Sequence, residues 1–136
     1  MLARNGVSLQ RLSTFVVGGD AFAQRGDSQA LTIAEQYSQL GIHLTRANMD
    51  RINGAAAILT LLGDPDRGLP VRLQISERCV HLIECLPSME HDPKRPEDVL
   101  KVDVDDNGDG GDDPYDALRY GVMAGQGVKS FVMPYA

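Results

Sequence analysis

The sequence predicts an α/β fold, a mixed sheet flanked by helices, and three observations lead there. Short β-branched apolar runs occur at residues 12–17 (LSTFVV) and 42–45 (IHLT). Stretches with apolar residues at helical spacing alternate with them. Glycine or proline stands at nearly every junction, as at Gly18-Gly19, Gly41, Gly63 and Pro87. Strands alternating with helices favour a sheet with helices on its faces. With 136 residues, 43% of them hydrophobic and 24% charged, the chain has the size and composition of one globular domain. We find no linker or internal repeat that marks a second one.

The elements follow in order. Residues 12–17 read as a buried strand closed by Gly18-Gly19. Ala30, Ile33, Ala34 and Tyr37 place one apolar face on a helix that Gly41 stops. After the strand at 42–45, a helix over residues 50–62 gathers Ile52, Ala55, Ala56, Leu59 and Leu62, and Gly63 ends it. Asp64-Pro65 and Arg67-Gly68 make a turn. Val71, Leu73 and Ile75 alternate with Arg72 and Gln74, which predicts a strand with one wet face. Ser76 is placed to cap a helix carrying Cys79, Leu82, Ile83 and Leu86, closed by Pro87. The proline-broken segment 87–98 is expected to be irregular. Pro114 suits the first residue of a last helix running to about Met123, with Gly125 and Gly127 ending it and a tail over 124–136.

Charge singles out one place. The chain carries 13 basic and 19 acidic residues, a net charge of −6. Residues 1–102 hold twelve acids and eleven bases, whereas 103–116 hold seven aspartates and no base. This balance argues against sequence-independent nucleic-acid binding through a basic surface. No apolar run reaches the length of a membrane span and no signal peptide opens the chain. Cys79 and Cys85, with no second pair, are expected to be reduced core residues of a cytosolic protein. The chain has neither G-x-S-x-G nor G-x-x-x-x-G-K-[ST], so no hydrolase nucleophile and no nucleotide-driven motor is visible.

Within the acidic stretch, Asp103, Asp105, Asn107 and Gly108 match the first positions of an EF-hand loop, but Pro114 stands where the bidentate Glu is needed. A solvated, flexible Asp/Gly connector over 103–111 is the simpler expectation. Asp113 and Asp116 are three apart, so one helical turn brings both carboxylates to one face. One reading makes Asp113 the N-cap, Pro114 the first helical residue and Asp116 the third. The other gives the pair to Mg²⁺ or Mn²⁺ as hard oxygen ligands. Asp20, two glycines past the first strand, is either a turn residue or a group at the carboxyl end of a strand, where α/β chemistry collects.

Three stretches together resemble the large terminase subunit of tailed phages and prophages, in its C-terminal nuclease domain. They are VGGDAFAQRG at 17–26, RANMDRING at 46–54 and DDPYDALRYG at 112–121, with Leu86-Pro87 and DPKRPED at 92–98 also similar. The likeness runs from about Val7 to Met123, and DALRY is its most specific part. It implies an RNase H-like fold, incomplete at the first strands, and a metal-dependent endonuclease that cuts concatemeric double-stranded DNA with two Mg²⁺ or Mn²⁺ ions. Carried over residue by residue, Asp20 would be the ligand of the second acidic motif and Asp116 that of the third. Asp113 would contribute where relatives have a His or an acid, and Asp112 would support or cap. Arg46, Arg51 and Arg119 are candidates for DNA phosphates, Arg119 equally for neutralising the acids. Portal protein, small terminase subunit and an ATPase region are the implied partners, in the cytoplasm of a bacterial host. Residues 1–19 contain no Asp or Glu, so the family's first acidic motif has no counterpart before Asp20. Weak metal binding and slow or absent cleavage by the isolated chain are the expectation. The alternatives are a non-catalytic packaging or interaction module of the same fold, and a small Asp/Gly-loop calcium-binding domain.

Overall fold

The computed structural model describes residues 12, 14–24, 26 and 30–125. Arg25, Gly127 and most of the tail lie outside them. The architecture is mixed α/β, with four α-helices and two two-stranded sheets among the described residues. The chain forms two compact units, Met1–Met49 and Asp50–Ala136, and each is described by itself.

In the first unit, β1 (Val16–Val17) pairs in parallel with β2 (Thr45–Arg46), Val16 opposite Thr45 and Val17 opposite Arg46. Thr45 N–H donates to Phe15 C=O at 2.7 Å and Ala47 N–H to Val17 C=O at 2.9 Å, which fixes the register. Parallel strands need a crossover, and α1 (Ile33–Gln39) supplies it. Its start is set by a capping box: Thr32 Oγ1 accepts from Glu35 N–H while Glu35 Oε2 accepts from Thr32 N–H. These bonds hold the Glu35 carboxyl below its ordinary pKa, the Thr32 backbone N–H acting most strongly. The strands are shorter than the apolar runs suggest. β1 keeps only the last two of residues 12–17, and β2 begins where 42–45 ends.

The second unit packs α2 (Arg51–Leu62), α3 (Val80–Ser88) and α4 (Asp113–Ala124) around one apolar cluster, with β3 (His91–Asp92) and β4 (Arg95–Val99) as a hairpin. Ile58 of α2, Leu82 and Cys85 of α3, and Tyr115, Leu118 and Val122 of α4 form the cluster. The spacing of the α4 residues (i, i+3, i+7) is the helical stripe that buries one face. Asp50 caps α2, its Oδ1 accepting from Asn53 N–H at 3.0 Å. Gly63 ends α2 at φ +69, where a Cβ would stand 2.5 Å from Pro70 C=O; only glycine lets the chain turn back so closely.

Three expectations are corrected. Residues 71–75 form no strand: Arg72 and Leu73 N–H both donate to Leu61 C=O, so the segment closes the end of α2 instead of joining a ladder. Its alternation survives only as packing, with Leu73 and Ile75 against the core. The stretch 87–98 is not irregular: Pro87 and Ser88 finish α3, and residues 91–99 form a hairpin, paired antiparallel at His91–Val99 and Asp92–Arg95 with a bulge between His91 and Asp92. Asp92 Oδ1 accepts from Lys94 N–H at 2.8 Å, an Asx turn that reverses the chain at Pro93. Pro96 is tolerated because the strand lies in a two-stranded sheet with an open edge. Finally, Pro87 lies inside the last turn of α3, which Cys79, not Ser76, precedes as cap.

The acidic loop is an organised reverse turn. Val104 bridges Gly110, and Asp105 Oδ1 accepts from the N–H groups of Asn107 at 2.9 Å and Asp109 at 2.8 Å. These donors, Asp109 first, hold the Asp105 carboxyl below its usual range. Among the described residues, no helix is long and apolar enough to cross a membrane.

Candidate functional site

Asp20 belongs to the first unit. It lies in a 3₁₀ turn (Gly19–Phe22) directly after β1, with its side chain exposed and its C=O accepting from Ala23 N–H at 3.1 Å. Arg46, at the end of β2, lays its guanidinium 4.7 Å from the centre of the Phe22 ring. A Cβ on Gly19 would be 2.8 Å from Arg46 Nη1, so the guanidinium rests against the backbone just before Asp20. Nearby in the same unit, an open hollow of about 360 Å³ is lined by Phe22, Thr32, Glu35, Ser38 and His43, with Ser38 Oγ 3.3 Å from His43 Nδ1.

The remaining site residues belong to the second unit, where α2, β4 and α4 contribute to one buried polar network. Arg119 is fully buried, and its Nε and Nη2 donate to Asp116 Oδ1 at 3.2 and 2.9 Å. Arg51, a quarter exposed, opens α2 and reaches across: Nε donates to Asp98 at 3.2 Å, Nη2 to Val99 C=O at 2.9 Å, and Nη1 lies 3.5 Å from Asp116 Oδ1. Both guanidinium groups meet the same carboxylate oxygen, and Asp116 Oδ2 receives neither. Burial pulls the Arg51 pKa down, but the hydrogen bond and charge of Asp98, with Asp116 and Asp112 behind it, raise it on balance.

The helix start departs from the expected cap. Asp112, not Asp113, is the N-cap, and Pro114 is the second helical residue. The reason is that the first helical bond runs from Asp116 N–H to Asp112 C=O at 2.9 Å, while Asp112 N–H is tied to Val102 C=O at 2.9 Å. The Asp112 side chain makes no capping bond. It is 2% exposed, and its Oδ2 has no hydrogen-bond partner, as is true of Tyr115 Oη and Arg119 Nη1. Burial, then the charge of Asp116, raises the Asp112 carboxyl above its ordinary pKa. Asp113 is exposed. Thus the network's two arginines are matched by Asp98 and Asp116, and Asp112 is left as a surplus buried acid.

Of the two roles open to Arg119, the structure gives it neutralisation of Asp116 and no surface at all. Arg51 is engaged with Asp98 and Asp116, and Arg46 is exposed. The sequence does not single out Asp98, because it stands 47 residues from Arg51 and no local spacing announces such a pair. Gly54 carried a readable signal. A glycine within a helix is costly, and here a Cβ would lie 2.5 Å from Arg119 Cγ, so the arginine stem crosses α2 at that position.

As donors, the carboxylates of Asp112, Asp113 and Asp116 suit a hard divalent cation, and the unpartnered Asp112 Oδ2 is the kind of buried oxygen such an ion satisfies. Among the described residues, neither unit by itself gathers three His, Cys, Asp or Glu side chains as a metal site. Comparison with family models, with curated proteins and with solved structures finds no match to this chain.

Proposed function

We propose that the chain belongs to the RNase H-like nuclease domain of a phage or prophage large terminase, serving metal-dependent cleavage of concatemeric double-stranded DNA. The observation that carries the reading is the first turn of α4. It sets a surplus buried carboxylate (Asp112), an exposed one (Asp113) and one with a free oxygen (Asp116) within five residues. Asp20, exposed just past the carboxyl end of a parallel strand, is the second contribution. In this reading Asp20, Asp113 and Asp116 hold Mg²⁺ or Mn²⁺, and Asp112 supports them. When bound, such ions activate a water and stabilise the leaving oxygen of a phosphodiester. Of the chain's own residues, Arg119 fixes Asp116 Oδ1, and Arg46 rests its guanidinium against Gly19, the residue before Asp20. The ATPase region, portal protein and small subunit are the partners, and the bacterial cytoplasm the location.

The test is binding of Mn²⁺ to the whole chain, followed by the electron-spin resonance of the free ion. A site weakened at least tenfold in Asp116→Asn supports the reading, and equal affinity in the two proteins overturns it.

One observation favours a second reading. Asp116 Oδ1 is already neutralised by two guanidinium groups, as in a purely structural network. A non-catalytic packaging or interaction module of the same fold would then keep Asp116 for packing, and Asp116→Asn would lower stability without touching Mn²⁺. For the calcium alternative, Asp105 spends its Oδ1 on holding its own turn. That reading requires the double substitution of Asp103 and Asp105 to abolish cation binding.

A further inference from the structure

We propose that the hollow of the first unit binds an unpaired nucleotide, an amino-bearing base held against Phe22 with its phosphate at Arg46; this does not rest on the metal reading above. Charge separates this unit from the other. Residues 1–49 carry four basic and three acidic side chains, whereas 50–136 carry nine and sixteen. The acidity that repels a phosphate therefore belongs to the second unit, and the first has none in excess.

Shape and chemistry converge on Phe22. Its ring lines the hollow of about 360 Å³, a size usual for small-molecule sites. The same ring carries the Arg46 guanidinium 4.7 Å from its centre. An aromatic ring beside an arginine is the pairing that holds unpaired bases, the ring by stacking and the cation by meeting phosphate. Arg46 is exposed, and among the described residues no carboxylate pairs with it, in contrast to Arg51 and Arg119. The polar lining supplies the base edge. Glu35 gives Oε2 to the Thr32 N–H and hydroxyl, which leaves Oε1 as an acceptor. Ser38 Oγ engages His43 Nδ1 at 3.3 Å, which leaves Nε2 to meet a ligand. A carboxylate acceptor favours a base with an exocyclic amino group, as in adenine, over uracil or thymine, which present a carbonyl oxygen there. A duplex, with its bases paired and stacked, does not enter such a hollow.

The experiment is titration of the full chain with AMP in chelator, followed by amide chemical shifts, with UMP and adenosine as comparisons. AMP in the millimolar range should shift Phe22, Glu35, Ser38 and His43 along one saturable curve, and UMP should bind at least fivefold more weakly. Arg46→Gln, a change at an exposed side chain, should weaken AMP at least fivefold and leave adenosine within twofold, because only AMP carries the phosphate. Phe22→Leu, which keeps an apolar side chain but loses the stacking face, should weaken both. A short adenylate single strand bound more tightly than AMP assigns the end of a strand as the ligand, and the reverse assigns a free nucleotide. Shifts that stay linear in AMP, or AMP affinity unchanged in folded Arg46→Gln, overturn the site, and equal affinity for UMP overturns the preference for an amino group. With chelator present throughout, none of these outcomes touches the metal reading.

Discussion

At Gly54 two physical effects oppose each other, and the substitution to alanine decides between them. Helix propensity favours alanine by roughly 1 kcal/mol. Sterics oppose it, because the new methyl group would stand 2.5 and 2.7 Å from Arg119 Cγ and Cδ, and Arg119 is fully buried with nowhere to retreat. Overpacking typically costs about 1–3 kcal/mol, so urea denaturation of Gly54→Ala should show a net loss of stability. A gain would mean that the arginine stem does not lie where described. Asp112 supports a second residue-level prediction with its sign fixed by linkage. Its folded pKa is raised by burial and by Asp116, so the folded state holds the proton more tightly than the unfolded one. The carboxyl therefore stabilises the protein most when protonated, and that stability is lost as pH rises from the ordinary value of 3.8 through the raised one. Asp112→Asn removes this loss. Its melting temperature should exceed the parent's at neutral pH in the absence of divalent ions, and the difference should shrink as pH falls towards 4.

The acidic loop shows how an element's titration reports its structure. Asp105 is held below 3.8 by the backbone N–H groups of Asp109 and Asn107, so its contribution is present above the ordinary pKa and lost as pH falls through the depressed one. NMR should place the Asp105 midpoint below 3.8, with the Asn107 and Asp109 amides shifting in step. An ordinary midpoint with unmoved amides would contradict the closed turn. Helices were the legible elements. Gly63 ends α2 as expected, because a helix stop is local; the buried face of α2 was misread, since Ile52, Ala56, Leu59 and Leu62, expected to share one apolar face, are exposed, and Gly54, Ala55 and Ile58 are buried where Arg119 and the core pack against the helix. Strands were less so, since a ladder depends on a partner elsewhere in the chain. Val71, Leu73 and Ile75 alternate like a strand but spend their backbone on Leu61, whereas residues 91–99, crowded with prolines, find a partner across an Asx turn. At the candidate site, Asp112, Asp113 and Asp116 were visible as a cluster, and Arg119 as their neighbour. Asp98, the reach of Arg51 and the burial of Asp112 were not, because they arise only when α2, β4 and α4 pack.

For the molecule as a whole, charge is the governing property. A chain of net charge −6 with seven aspartates in fourteen residues repels bare DNA, and the proposed function requires divalent ions to reverse that locally. Fluorescence anisotropy with a labelled duplex should show no measurable association in chelator and association on adding Mn²⁺; equal binding in both would separate DNA recognition from the carboxylates. The central proposal is that Asp20 and the carboxylates at the start of α4 are metal ligands. Paramagnetic broadening by Mn²⁺ across the amide spectrum tests it most directly. The account predicts that signals around Asp20 and around Asp113 and Asp116 vanish together at the same low Mn²⁺ concentration. Broadening confined to residues 103–109, with Asp20 and Asp116 untouched, would contradict it and leave the acidic loop as a local cation sink.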